Sequence, residues 1–461
     1  MPMTERAAGT SGRRLRTAGN SGAADQRRLA GFRSPQHDRG MCGRWQDSSP
    51  PSDGGGVSPT ADDLEPWVRL RSATMHPFIF RRMVGEASPT ARPGDVVAVY
   101  DKTGQLLGRG LYNPRSQIVV RMLTHGPRCV DTGFWRERLR QAIDLRRRLG
   151  LLGEATDACR LVHAEADGLT GLVVERYADV LVLEFFSLGM FQRRRELAGL
   201  LAELLGLPTA LDRPRHAAAD WRVLMRAGEG IERVEGFTVP PAEQSDSRPL
   251  IIREHGIRYR VDPAGGHKTG FFCDQRDNRL RFASLCRDAE VLDVCCYSGG
   301  FGIAAKVLGA AAAVTAVDLD EAALALAREN ANLNQVRLSL VHSDAFIYLR
   351  QMIANHRQFG AVVVDPPKLA LSRSEIEIAL KKYHDLNTLA LQVVRPGGIL
   401  VTCSCSGLVS RAAFLDVVRG AVRRAGKSVQ VVGHTGAAPD HPVTFECPET
   451  EYLKVVWLRV L

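Results

Sequence analysis

The chain has 461 residues, of which 45% are hydrophobic and 24% are charged, and its formal net charge is +10. This composition is ordinary for a soluble globular protein, and the length suggests about three domains at roughly 150 residues each. No uninterrupted apolar run approaches the ~18 residues needed to cross a bilayer, which excludes a membrane-spanning protein. The basic balance favours a polyanionic partner such as nucleic acid only weakly, since many ordinary enzymes are also basic.

The first 66 residues differ in composition from the rest of the chain. Residues 1–60 contain nine arginines, no lysine and five acids, so they supply +4 of the net charge. They are rich in Gly, Ser and Ala, and they show neither an apolar periodicity nor the apolar stretch of a secretory signal. We expect residues 1–66 to be a disordered tail.

Residues 67–129 show short strand patterns separated by turns. Val96–Tyr100 is typical of a strand, Asp101–Gly104 of a hairpin turn, and Leu106–Tyr112 of the returning strand. Gln117–Met122 predicts a further strand. We expect a small β-rich domain over this segment.

Residues 130–248 predict a small α+β domain. Apolar residues at helical spacing indicate a helix over 134–149, which also carries six arginines. A strand hairpin over 171–186 and a helix near 190–205 follow, and a polar linker ends the domain at 243–248. The arginines allow two interpretations, a solvated helix face or a surface that binds phosphates.

Residues 249–461 alternate between strand and helix patterns. This order predicts an α/β fold, a doubly wound parallel sheet with helices on both faces. In such a sheet, ligands bind beyond the carboxyl ends of the strands. The predicted strands are 290–294, 313–317, 338–341, 361–364 and 398–403.

Acids stand at or just after the ends of the first three of these strands. Asp293 is followed by a turn in which Gly299 allows a tight backbone, although the turn is not a dinucleotide fingerprint. Asp318 is suited to accept hydrogen bonds from ribose hydroxyls, and Asp344 from an adenine amino group. Both acids are equally suited to cap the helices that follow them.

The fourth strand is followed by Asp365-Pro366-Pro367-Lys368. Two prolines cannot continue a strand, so they fix a rigid turn beyond the sheet edge. Such a turn would hold Asp365 in a defined direction over the ligand crevice. A purely structural turn explains the prolines but leaves the acid unexplained.

Two of the ten cysteines stand at the end of the fifth strand. Cys403 and Cys405 alternate with Ser404, so they point the same way if the strand continues that far. A thiol at this edge is either a nucleophile or a small buried residue. The cysteines show no zinc-ligand spacing, so we expect no metal, and reduced thiols favour a cytoplasmic protein.

The order of these strand ends resembles the class I S-adenosylmethionine (SAM)-dependent methyltransferases, with Cys295 and Tyr297 where small residues are common. Further motifs resemble the bacterial 23S ribosomal RNA cytosine-5 methyltransferases that begin with a PUA domain. The resemblance covers about 67–461. The motifs are GGHKTGFFCDQRDNR at 265–279, YSGGF at 297–301, SCSGL at 404–408, HPFIF at 76–80, GRGLYNPRSQI at 108–118, ADGLTGLVV at 166–174, APDHP at 438–442 and EYLK at 451–454.

The resemblance implies a cytoplasmic enzyme that uses SAM to methylate carbon 5 of a cytosine in 23S ribosomal RNA, naked or partly assembled. It implies Cys405 as the nucleophile, with Cys403 as the alternative, and Asp365 as the residue that holds the base. The implied domains are a PUA-like domain at 67–129, a central α+β domain at 130–248 and the methyltransferase at 249–461. The implied cofactor-binding residues are Asp293, Tyr297, Gly299, Asp318, Asp344, Asp365 and Gln275.

Other interpretations remain open at this point. Asp-Pro-Pro motifs also serve methylation of exocyclic amino groups of RNA bases, which needs no thiol. The unusual first loop is compatible with an RNA-binding assembly factor that has lost catalysis. Phe271, Gln275 and Arg276 are expected on the cofactor or RNA side, unless their run is a structural hairpin. The oligomeric state stays open, a homodimer being one arrangement.

Overall fold

A computed structural model describes residues 65–207, 221–244, 250–263 and 270–461. The chain divides into two units, and all described residues belong to the second, Gly54–Leu461. The disordered tail predicted over 1–66 therefore lies outside the described residues except at its last two positions, and most of the predicted linker does too. None of the helices in the described ranges is long and apolar enough to span a bilayer.

The first sheet has six strands in the order β2-β6-β5-β4-β1-β3. Its strands pair in antiparallel fashion except β1 and β4, which are parallel. The predicted strand Val96–Tyr100 and its hairpin partner are both present. The strands are β1 (Trp67–Leu70), β2 (Phe78–Phe80), β3 (Val84–Ala87), β4 (Val96–Tyr100), β5 (Leu106–Tyr112) and β6 (Ile118–His125).

A second sheet of four strands follows, in the order β10-β9-β8-β7. Its apolar face packs against two helices, α1 and α3, in one buried cluster. The elements of this part are α1 (Thr132–Arg148), β7 (Ala158–His163), β8 (Leu172–Tyr177), β9 (Val180–Phe185), α2 (Leu188–Gln192), α3 (Arg194–Leu205), β10 (Arg222–Arg226), α4 (Glu229–Glu235) and α5 (Pro241–Gln244).

Most arginines of α1 are held by acids of the same chain. Arg146 is fully buried and forms an ion pair with Asp167 at 2.8 Å. Exposed pairs join Arg140 and Arg147 to Asp144, and Arg136 to an acid of α3. The interpretation as a solvated helix face fits the exposed arginines, which also pair with acids, but not Arg146, which is buried and not accessible to a phosphate.

The third part begins with an antiparallel hairpin and continues into a sheet of seven strands, ordered β15-β14-β13-β16-β17-β19-β18. The elements are β11 (Leu250–Glu254), β12 (Ile257–Val261), α6 (Arg276–Ser284), β13 (Glu290–Val294), α7 (Gly300–Val307), β14 (Ala313–Asp318), α8 (Glu321–Leu333), β15 (Ser339–His342), α9 (Ala345–Ala354), β16 (Phe359–Val364), α10 (Ile376–Gln392), β17 (Val394–Ser404), α11 (Arg411–Arg424), β18 (Val429–Thr435) and β19 (Lys454–Val460).

The predicted doubly wound sheet is present in its first five strands, which run parallel to one another. Helices α9, α10 and α11 share one buried cluster with the sheet, and α6 and α7 share another on its opposite face. The expectation of a wholly parallel sheet is wrong at one edge. Strand β19 inserts between β17 and β18 and is antiparallel to both, and the described segment between the last two strands contains a short 3-10 helix, Pro448–Thr450, in place of the α-helical crossover that parallel strands usually have.

A buried carboxylate joins the second and third parts. Asp440 is fully buried and accepts two hydrogen bonds from the Arg276 guanidinium, at 3.0 and 2.9 Å. It also accepts from the backbone N–H of Arg160 at 2.9 Å, while Arg146 donates to its main-chain carbonyl. Burial opposes the charged form, but His441 and Arg276 outweigh it and hold the pKa of Asp440 far below its usual value.

We predict that Asp440→Asn strongly destabilises the protein. Removing one partner of a buried ion pair leaves an uncompensated charge, which typically costs about 3–5 kcal/mol. Urea denaturation followed by circular dichroism measures the loss. The matched control is Asp416→Asn, whose exposed pair with Arg419 should contribute less than about 1 kcal/mol. Equal effects of the two substitutions would contradict the assignment.

The pH dependence of stability gives an independent check. Because the pKa of Asp440 is lowered by folding, its contribution is complete above the unfolded pKa of about 3.9 and is lost as the pH falls through the folded value. The difference in unfolding free energy between wild type and Asp440→Asn should therefore still be present at pH 5. It should shrink only under more acidic conditions.

Candidate functional site

A cavity of about 590 Å³ opens at the carboxyl edge of the parallel strands. Its volume lies within the range of small-molecule sites, which span about 300–1,000 Å³. Its walls combine phenylalanine side chains with a few polar groups. Six predicted site residues line it: Gln275, Tyr297, Asp318, Asp344, Asp365 and Cys405.

Asp293 is near the end of β13 and does not line the cavity. It lies beneath the loop of residues 295–299 that follows this strand, here called the first loop. The side chain is 1% exposed, and Oδ2 accepts a hydrogen bond from the backbone N–H of Gly302 at 2.8 Å. Burial raises the pKa of this carboxyl to about 7. Gly299, with φ of +80°, likewise turns the backbone without facing the cavity. Both residues shape the loop from below.

The first loop contains two strained residues. Cys295 has φ of +62° and Tyr297 has φ of +47°, in the left-handed region that glycine adopts freely. The carboxylate of Asp318, at the end of β14, accepts the backbone N–H of Tyr297 at 2.8 Å and that of Asp320 at 3.0 Å. The Tyr297 ring packs edge-on against Phe272. These contacts hold the loop in its strained form.

The two helices that follow β14 and β15 are capped by acids. Asp320, rather than Asp318, caps α8 by accepting the backbone N–H groups of Ala322 and Ala323. Asp344 caps α9 and also lines the cavity. The capping interpretation is thus correct for Asp344, although it does not exclude a ligand, since a carboxylate retains further acceptor sites.

Asp365 follows β16 and projects into the cavity. Its Oδ2 accepts a hydrogen bond from Nε2 of Gln275 at 3.0 Å. Gln275 is in turn held by Asn278, whose Nδ2 donates to its amide oxygen at 2.7 Å. The amide thus fixes the direction of the carboxylate, as the rigid Pro366-Pro367 turn led us to expect.

The two cysteines at the end of β17, Cys403 inside the strand and Cys405 just after it, are in different environments. Strand β17 ends at Ser404, so the condition on which Cys403 and Cys405 were expected to point the same way, a strand that continues to Cys405, is not met. Cys403 is fully buried and does not line the cavity, and burial raises its pKa well above the ordinary value. Cys405 lines the cavity, with Sγ 3.9 Å from the carbonyl oxygen of Pro366.

Ser406 connects the loops that carry Asp365 and Cys405. It is fully buried, and its Oγ accepts the backbone N–H groups of Leu369 at 3.1 Å and Ala370 at 3.3 Å. The hydroxyl of Tyr383, on α10, lies 3.0 Å from the same oxygen. The loop after β17 is therefore fixed against the loop after β16, which keeps the carboxylate and the thiol on adjoining walls.

Sequence reasoning missed several residues of the cavity and misplaced one. Lys382 on α10 and Phe346 on α9 line it, although neither belongs to a recognisable motif. Phe271 and Gln275 line it as expected, but Arg276 does not, because its guanidinium is fully buried against Asp440. A lone lysine in a helix carries no signal that separates a cavity wall from a solvated face.

His76, Cys447 and Glu449 form a group of metal-ligand types away from this cavity. The Nδ1 atom of His76 accepts the backbone N–H of Phe78 at 3.0 Å, so in the neutral ring Nε2 carries the hydrogen and faces Glu449 at 3.2 Å. A histidine that binds a metal instead donates from its second nitrogen. The group therefore acts as a hydrogen-bonded contact between the first sheet and the C-terminal region, and the prediction of no metal stays a prediction.

Comparison with known proteins defines the class. Residues 71–125 match the PUA-like domain family, and residues 222–448 match the S-adenosylmethionine-dependent methyltransferases. A SAM-dependent methyltransferase from Streptococcus mutans has a TM-score of 0.69 at 19% identity, over 85% of this chain and 100% of that one. A methyltransferase complexed with SAH gives the same TM-score at 20% identity, over 84% and 96%. The fold is that of a class I, SAM-dependent methyltransferase, which confirms the predicted fold and cofactor.

Two curated relatives define the family. Ribosomal RNA large subunit methyltransferase I of Pseudoalteromonas atlantica is 37% identical over 395 residues, which is 84% of this chain and 95% of that protein. The protein of the same name from Klebsiella pneumoniae is 37% identical over 393 residues, 84% and 94% of the two chains. The chain belongs to the ribosomal RNA large subunit methyltransferase I family, which confirms the resemblance found in its motifs.

We predict that Asp318→Asn weakens SAM binding by about tenfold or more. The substitution would weaken the hydrogen bonds expected between the ribose hydroxyls and this carboxylate, and a hydrogen bond to a charged group contributes about 1.5–3 kcal/mol. It would also weaken the bond that holds the N–H of Tyr297. Titration calorimetry with SAM measures the change. Asp416→Asn, on the exposed face of α11, is the control and should bind SAM as the wild type does. Unchanged affinity in Asp318→Asn would contradict the role of this carboxylate.

Proposed function

We propose that this chain transfers the methyl group of SAM to carbon 5 of a cytosine in 23S ribosomal RNA through a covalent adduct with Cys405. The observation that carries the proposal is the pairing of a fixed carboxylate, Asp365, with an accessible thiol, Cys405, on adjoining walls of one cavity. Methylation of an exocyclic amino group would use the carboxylate of Asp365 but would leave the thiol of Cys405 without a role.

The cofactor would occupy the part of the cavity that lies over β13, β14 and β15. Asp318 would accept from the ribose hydroxyls, and Asp344 from the adenine amino group. Tyr297 would shape the loop against the cofactor, while Asp293 and Gly299 would hold that loop from below. The bound cofactor supplies an electrophilic methyl group.

Cys405 would activate the base. Carbon 5 of cytosine is a poor nucleophile, and addition of a thiolate to carbon 6 moves an electron pair of the ring double bond towards carbon 5. Carbon 5 can then take the methyl group. Loss of the carbon-5 proton to a base and cleavage of the sulfur–carbon bond release 5-methylcytosine and regenerate the thiolate. The accessibility of Cys405 and the burial of Cys403 favour the first as nucleophile.

Asp365 would accept a hydrogen bond from the cytosine amino group, since its direction is fixed by Gln275, and its second oxygen would bond to N3 when a proton lies between the two acceptors. A proton shared between this carboxyl group and N3 would offset the negative charge that the thiolate brings into the ring, and the fixed position of the group means that this requires no reorganisation during the reaction. The same contacts would select cytosine. The carbonyl of uracil in place of the amino group offers no donor to a carboxylate.

Ribosomal RNA as the substrate is supported by the names of the curated relatives and by the PUA-like domain. The target base must leave its stack to reach the cavity, and the neighbouring phosphates then lie at the rim. Two exposed lysines, Lys368 and Lys382, line that rim. The proposal places the reaction in the cytoplasm, on 23S RNA that is naked or partly assembled.

We predict that Cys405→Ala abolishes methylation and that Cys403→Ala keeps most of it. With RNA that contains 5-fluorocytosine, the fluorine at carbon 5 cannot leave as a cation, so the adduct should persist. Gel analysis of the protein–RNA adduct should show it for wild type and Cys403→Ala only. Mass spectrometry of digested RNA should give 5-methylcytosine as the product. Methylated amino groups, or full activity of Cys405→Ala, would exclude covalent catalysis.

We also predict that Lys382→Ala raises the KM for RNA several-fold and leaves SAM affinity unchanged. Loss of one phosphate contact should reduce the slope of log affinity against log salt by about one. Filter binding at several salt concentrations measures this slope. Lys427→Ala is the control, because Lys427 follows α11 and does not line the cavity. An unchanged slope in Lys382→Ala would remove this lysine from the RNA contacts.

A further inference from the structure

Lys454 is a buried lysine to which the proposed reaction gives no role. It begins β19 and pairs in antiparallel register with Ser404, the residue before Cys405. Lys454 is 2% exposed. Its Nζ donates to the carbonyl oxygen of Ser406 at 2.7 Å and to that of Tyr452 at 2.9 Å. The ammonium group thus contacts the backbone on the far side of the candidate nucleophile.

The surroundings of this ammonium are unusual for a buried cation. Among the described residues, no carboxylate lies within 4.0 Å of Nζ of Lys454, and its acceptors are two neutral carbonyl groups. Burying a charge is costly unless an opposite charge compensates it. Burial accordingly lowers the pKa of Lys454 to about 8.

Four charged or ionisable groups face Lys454 from the neighbouring elements. Cys405 gives the largest favourable interaction with the ammonium, ahead of Glu451, while Arg411 and Lys368 oppose it. The side chain of Glu451 is 45% exposed and pairs with Arg411 at 2.6 Å. In its ionised form the Cys405 side chain is therefore an anionic partner, besides the half-exposed Glu451, that can compensate the burial of the ammonium.

The groups on the other sides of the thiol favour its neutral form. Asp365 lines the same cavity, and Asp365 and Cys405 each raise the pKa values of Tyr383 and Cys403. A negative charge at Asp365 disfavours a thiolate beside it. Lys368 and Lys382 are the lysines on the cavity wall, but both are exposed, so water screens their charges. Lys454 is the buried one.

We propose that Lys454 is a positioning residue for the nucleophile, whose buried ammonium stabilises the thiolate of Cys405 and whose bond to the carbonyl of Ser406 holds the loop. This inference rests on the proposed function, because it assigns Cys405 the nucleophilic role. Ionisation releases the thiol proton to solvent. Lys454 keeps its own proton while the sulfur–carbon bond forms and breaks.

Three substitutions at Lys454 distinguish the effect of its charge from the effect of its hydrogen bonds to the backbone. Lys454→Met removes the charge and the hydrogen bonds, Lys454→Gln removes the charge but keeps N–H donors, and Lys454→Arg keeps the charge. Lys306→Met is the matched control, because Nζ of Lys306 also donates to two backbone carbonyls, at 2.8 and 3.1 Å, but Lys306 belongs to α7 and not to the strand paired with Ser404. Calorimetry with SAM shows which variants retain the folded site.

The decisive measurement is the rate at which iodoacetamide alkylates Cys405 as a function of pH, without RNA. The thiolate displaces iodide, so the rate follows the ionised fraction, and mass spectrometry of the Cys405 peptide separates it from other cysteines. The midpoint should rise by about one pH unit or more in Lys454→Met and Lys454→Gln. It should stay near the wild-type value in Lys454→Arg and Lys306→Met.

Turnover gives a second readout. The kcat for methylation should fall about tenfold or more in the uncharged variants, while the KM for RNA and the affinity for SAM stay unchanged. If Lys454→Met does not fold, Lys454→Gln decides the question. A wild-type alkylation profile in a folded, uncharged variant would overturn the proposal.

The experiment also separates this inference from the function on which it rests. If Lys454 substitutions shift the alkylation midpoint but Cys405→Ala still methylates cytosine, the ion pair exists and covalent catalysis is wrong. If Cys405→Ala is inactive and the uncharged variants keep the wild-type midpoint, covalent catalysis stands and the role of Lys454 is wrong.

Discussion

The hydrogen bonds that converge on Ser406 are the constraint on which the rest of the site depends. Neither Asp365 nor Cys405 lies in a regular strand, so the sheet alone does not fix their separation. The Oγ of Ser406 ties its own loop to the one after β16, and its carbonyl accepts from Lys454. These hydrogen bonds fix the loop of Ser406 both to the loop after β16 and to strand β19. Catalytic groups need such support, because a displacement of about 1 Å can cost two orders of magnitude in rate.

The first loop shows a different way of fixing a binding site. Cys295, Tyr297 and Gly299 all have positive φ, although only one of them is glycine. Residues in such conformations cost about 1–3 kcal/mol each and persist only where their surroundings impose them. Here the carboxylate of Asp318 holds the Tyr297 N–H, and the backbone of β14 holds the N–H of Cys296. The loop is thus preorganised, and Cys295 and Tyr297 follow a backbone path that suits small residues.

The ends of the parallel strands could be predicted from the sequence, because the hydrophobic periodicity, the alternation of strands and helices and the turn residues agree there. Asp318, Asp344 and Asp365 were therefore placed at the correct edge of the sheet. The sequence left the answer open where that answer depended on where an element ends. Whether Cys403 and Cys405 share a face depends on the last residue of β17, and element boundaries are the least certain part of any pattern. The sequence also did not predict where a buried charge lies. No feature of the sequence around Arg276 indicates that its side chain pairs with Asp440 and does not line the cavity. The antiparallel strand β19 was missed because pairing between distant segments leaves no periodic signal.

The joint at Asp440 bears on how an RNA substrate would be accommodated. Its carboxylate is bonded to elements of both the central part and the methyltransferase part, and these bonds are closed to water. Opening the two parts relative to each other would break these hydrogen bonds and would expose the apolar side chains that both parts contribute to one buried cluster, which is unfavourable. A protein built in this way has little freedom to close around its substrate. The work of unstacking a base, a few kcal/mol, must then come from contacts with the rest of the RNA. Nucleotides that are already unpaired should therefore be the preferred targets.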